Sequence, residues 1–149
     1  MIAAATIIST DMVAKSISLT TSSIFALGKS LFYSDNYVNL STIEKIEKKL
    51  DLLETVKIYD IWIQEVIEKY KDKIDNSNSF KESIRSFTSI LNELHELLKT
   101  IDQKVQDHKL KWFSYYRNLS FHEEIENMQI LKNILDNRFN ILQQINSFQ

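Results

Sequence analysis

Apolar residues recur at helical spacing along almost the whole chain. The third run is the cleanest: Phe80, Ile84, Phe87, Leu91, Leu94, Leu98, Ile101 and Val105 follow one another at alternating steps of four and three. Such steps keep one face of a helix apolar and describe an a/d seam against neighbouring helices. The next positions in that register are His108 and Trp112. A fourth run repeats the pattern with Phe121, Ile125, Met128, Leu131, Leu135, Phe139, Leu142 and Ile145, flanked by Lys132 and Arg138. The second carries Ile43, Ile46, Leu50 and Leu53, continued by Val56, Tyr59, Ile63, Val66, Tyr70 and Ile74. In the first, apolar residues mix with Ala, Ser and Thr, and the charges are Asp11, Lys15 and Lys29.

Three Ser-x-x-Glu capping boxes punctuate these runs: Ser41 with Glu44, Ser79 with Glu82, and Ser120 with Glu123. In each, the serine can accept from the backbone N–H three residues on while the glutamate reaches back. The spacing predicts helices over about 3–33, 42–73, 80–117 and 121–146, with corners near 35–41, 75–79 and 117–120. The expected fold is all-α, a single antiparallel up-down-up-down four-helix bundle domain spanning 1–149.

Composition agrees. The 149 residues contain no proline, and Gly28 is the one glycine. Strand folds need turn residues that are scarce here. Gly28 either kinks the first helix or lets a neighbour pack closely. The pattern still holds near Gln149, as in the N-terminal part of a longer protein. There are no cysteines, which removes disulfides and thiol chemistry. A net charge of −2 argues against nucleic-acid binding driven by bulk charge. Residues 1–8 are apolar without a basic lead, unlike a secretory signal.

Catalysis requires convergent titratable groups, and no motif supplies them. His95, His108 and His122 do not follow an acidic residue by three, so the Glu-x-x-His pattern of di-iron bundles is missing. His108 reads either as a boundary histidine or as a ligand or pH switch. Glu44–Lys48 and Glu65–Lys69 have i,i+4 spacing and describe a solvated face. No enzyme activity, metal or cofactor is expected.

Two segments stand out. Lys109-Leu-Lys-Trp-Phe-Ser-Tyr-Tyr-Arg117 places three cations and four aromatics within nine residues. Aromatics and cations of this kind favour membrane interfaces and anionic head groups, and they can also stack on single-stranded nucleic acid or close a bundle end. The candidate binding residues are Lys109, Lys111, Trp112, Phe113, Tyr115, Tyr116 and Arg117. The second segment is the first helix. It is either the most buried member of the bundle or an element that enters lipid through Ile17, Ile24, Phe25, Leu27, Leu31 and Phe32.

From Phe80 to Gln144, a seam helix runs into the basic-aromatic segment. A break follows, then Glu124-Ile-Glu-Asn-Met-Gln-Ile-Leu-Lys-Asn-Ile-Leu135 and Phe139-Asn-Ile-Leu-Gln-Gln144. This arrangement resembles the four-helix executioner domains of the mixed lineage kinase domain-like pseudokinase, the fungal HeLo group and the coiled-coil domain of helper plant immune receptors. The resemblance implies a non-enzymatic cell-death effector that oligomerises on a signal from an upstream sensor or kinase-like module. It would bind anionic lipids and permeabilise the membrane, being cytoplasmic until activation and then peripheral to the membrane. No specific nucleic acid is implied. The first helix has only Lys15 and Lys29 as cations, so head-group contact would fall to Lys109, Lys111 and Arg117. The alternative is a structural or protein-interaction bundle, such as an assembly or viral component.

Overall fold

The computed structural model describes residues 9–33, 50–109 and 121–146. They form four helices and no strand: α1 (Thr10–Tyr33), α2 (Leu52–Asp75), α3 (Asn78–Lys109) and α4 (His122–Ile145). The chain is all-α, as its lack of turn residues requires.

The helix ends depart from the capping-box reading in instructive ways. α1 starts at Thr10 rather than near Ala3, because Ser9 is its cap: the Met12 N–H donates to Ser9 Oγ at 3.2 Å. α3 starts at Asn78, capped by Ser77, whose Oγ accepts from the Phe80 N–H at 3.2 Å. Ser79 therefore lies inside the first turn, and Glu82 pairs with Arg85 instead of reaching back. The two-residue corner Asn76-Ser77 is held by the Ser77 N–H on the Ile74 carbonyl at 2.9 Å. α4 is preceded by Phe121 at the cap position, without a side-chain cap bond. The Ser41 box and Ser120 lie outside the described residues.

The second helix is not continuous through Leu53, as the apolar spacing suggested. Asp51 takes left-handed backbone (φ 50°, ψ 45°), so α2 begins only at Leu52. Aspartate tolerates that region better than most residues because its short side chain bonds locally. A second irregularity at Tyr70 (φ −122°, ψ 26°) kinks α2.

One core joins all four helices. All eight seam residues of α3 are buried, with Phe80, Leu91, Leu94, Leu98 and Ile101 fully enclosed. α1 turns two columns inward at seven-residue spacing, one large (Ile17, Ile24, Leu31) and one small (Ala14, Thr21, Gly28). The small column lets α2 approach. A Cβ on Gly28 would collide with the Leu53 methyls, and its φ is not positive. Close packing, not a kink, is the reason for this glycine.

Asp11 meets Lys71, Gln64 donates to the Ala14 carbonyl at 2.8 Å, and Gly28 faces Leu53. α1 and α2 therefore run in opposite directions. α3 and α4 do likewise, with Lys104 on Glu124 and Arg138 on the Ser86 carbonyl. α1 also lies along α3, where Thr20 bonds Asn92 at 3.3 Å.

Candidate interaction surface

Most of the basic-aromatic segment, Lys111, Trp112, Phe113, Tyr115, Tyr116 and Arg117, lies outside the described residues. Lys109 closes α3, with its side chain also outside them, as is that of His108. Of the first-helix residues, Ile17, Ile24, Leu31 and Phe32 are buried and Phe25 and Leu27 are half-buried against the core. In this state they are core residues. Two ammonium groups, of Lys29 and Lys57, stand 4.6 and 5.7 Å from the Phe25 ring centroid.

The polar chemistry of the interior gathers where α4 meets α2. Lys132, 8% exposed, is a core residue rather than a flank of the seam. Its Nζ donates to Asp136 Oδ2 at 2.8 Å, and Asp136 Oδ1 accepts from the Tyr59 hydroxyl at 2.5 Å. Burial pushes the Tyr59 phenol well above its ordinary range, and the Asp136 carboxylate adds to the shift. The Tyr59 ring stacks on Phe139 at 3.8 Å, and Trp62 meets the same ring edge-on at 5.1 Å. A buried ammonium is tolerable only when paired in this way.

Near the start of α4, Lys104 Nζ lies 2.9 Å from Glu124. Burial opposes ionisation of Glu124, but the Lys104 hydrogen bond, a backbone hydrogen bond and the Lys104 charge together outweigh it and hold the carboxyl below its ordinary range. Glu65 and Lys69 are both exposed, as the spacing implied, and the Lys69 ammonium stands 5.3 Å from the Tyr70 ring.

These bonds leave α4 with an unusual outer face. Between Asn127 and Ile145 the charged residues are Lys132, Asp136 and Arg138. Lys132 is buried, Asp136 and Arg138 are half-buried, and each is engaged within the fold. The exposed residues there are Asn127, Ile130, Asn133, Asn137, Asn140, Ile141, Gln143 and Gln144. Ile130 and Ile141 are 49% and 47% exposed, whereas Ile134 is half-buried against the core. The outward side of α4 is therefore largely amide, with Ile130 and Ile141 set among asparagines and glutamines. About five turns of surface helix without an outward charge are rare on a solvated face, where charges normally intersperse. The sequence reading fixed on the core stripe of α4 and missed this side. The signal was there in the absence of charge from 127 to 145 apart from three residues on other faces.

A surface groove of about 910 Å³ runs between α1 and α3 over Val13, Phe80 and Ile84. Lys81, Glu82 and Arg85 line it, and Glu82 pairs with Arg85. Among the described residues, no group of three His, Cys, Asp or Glu could hold a metal ion. Among the same residues, no helix is long and apolar enough to cross a membrane.

No family model matches the chain, and no solved structure does. Among curated proteins, it is 26% identical over 133 residues to an uncharacterized protein, L717, of Acanthamoeba polyphaga mimivirus. That similarity covers 89% of this chain and 53% of the relative. The chain thus spans about half the length of the curated relative it matches.

Proposed function

We propose that this chain is a non-enzymatic helical interaction module, an up-down-up-down bundle that works by docking protein through the outer face of α4. The observation that carries this reading is the outward side of α4 between Asn127 and Gln144, where Ile130 and Ile141 are exposed and the charged side chains are engaged within the fold. Interface cores are depleted of charge in this manner. The reversals of α2 on α1 and of α4 on α3 support the bundle topology.

If the outer face of α4 serves docking, it is dispensable for folding. Ile130→Lys combined with Ile141→Lys is expected to shift the thermal midpoint by only a few degrees, as surface substitutions do. A collapse of helicity or of the midpoint would show that these isoleucines support the fold, and the interaction reading would fail.

A second reading is the membrane-permeabilising effector, with Lys109, Lys111 and Arg117 on anionic lipid. It is favoured by the edges of α1, which are held by contacts that water can replace: Thr10 on Asp75, Lys71 on Asp11, and Thr20 on Asn92. Dye release from phosphatidylserine vesicles tests it. No release by the monomer or by a forced oligomer removes this reading.

A further inference from the structure

We draw no further inference here: the strongest candidate, the groove between α1 and α3 over Val13, Phe80 and Ile84, is lined by charges of both signs in Lys81, Glu82 and Arg85, and nothing in the structure shows what covers it.

Discussion

Tyr59 of α2 and Asp136 of α4 are joined by a hydrogen bond of 2.5 Å, and the same carboxylate holds the buried Lys132 ammonium at 2.8 Å. One acid therefore satisfies two donors from two helices. It is also what turns Asp136 and Lys132 away from the outer face of α4, so the internal network and the bare surface are two consequences of one arrangement.

Removing the shared acid should cost more than removing either donor alone. Asp136→Ala strands an ammonium that is 8% exposed, and a loss of about 3 kcal/mol is expected. Tyr59→Phe keeps the Phe139 stack and gives up one charge-assisted bond, worth about 1–2 kcal/mol. Urea unfolding measures both. Equal losses would show that Lys132 finds another partner.

Gly28 offers a test of sign. Gly28→Ala gains about 1 kcal/mol of helix propensity, but its methyl meets Leu53, and overpacking typically costs 1–3 kcal/mol. The net effect in the wild type is expected to be destabilising. With Leu53→Ala already in place, the same change should be neutral or stabilising. A penalty that persists in that background would refute the close-approach account.

Much of this was legible from the amino acids, and the parts that were not have physical reasons. The α3 seam from Phe80 to Val105 needed only regular steps and is buried as expected. Ser79 carries the better capping motif, yet Ser77 is the cap. Cap choice follows the corner's backbone bonds, which the motif does not encode. Asp51 looked like an ordinary helical aspartate, since nothing in its neighbours announces left-handed backbone. Lys132 appeared as a flank because lysines are seldom buried. Its burial depends on Asp136 and on Tyr59, which is 73 positions away in the sequence. The basic-aromatic segment, the main sequence candidate for lipid contact, falls largely outside the described residues, and the α4 face emerged only once the core side of the helix was known.

Acid should weaken the attachment of α4 to the end of α3. The folded Glu124 carboxyl sits below its ordinary range, so its pairing contributes fully above the unfolded value of about 4.3. That contribution is lost as pH falls through the lower folded value. The pair is partly exposed, so it adds no more than about 1 kcal/mol. The stability gap between wild type and Glu124→Gln, followed by urea titration, should stay constant at neutral pH and close in strong acid. A gap that widens on acidification would contradict the sign.

A docking role for α4 requires that its outer face stand open, and NMR with a soluble paramagnetic probe addresses that most directly. Each asparagine contributes a side-chain NH2 pair, so Asn127, Asn133, Asn137 and Asn140 report on the outer face without any substitution. The probe is expected to broaden these signals and the Ile130 and Ile141 methyls, leaving the buried Leu91 and Leu94 methyls unchanged. Outer-face signals of α4 protected from the probe as fully as Leu91 and Leu94 would contradict it.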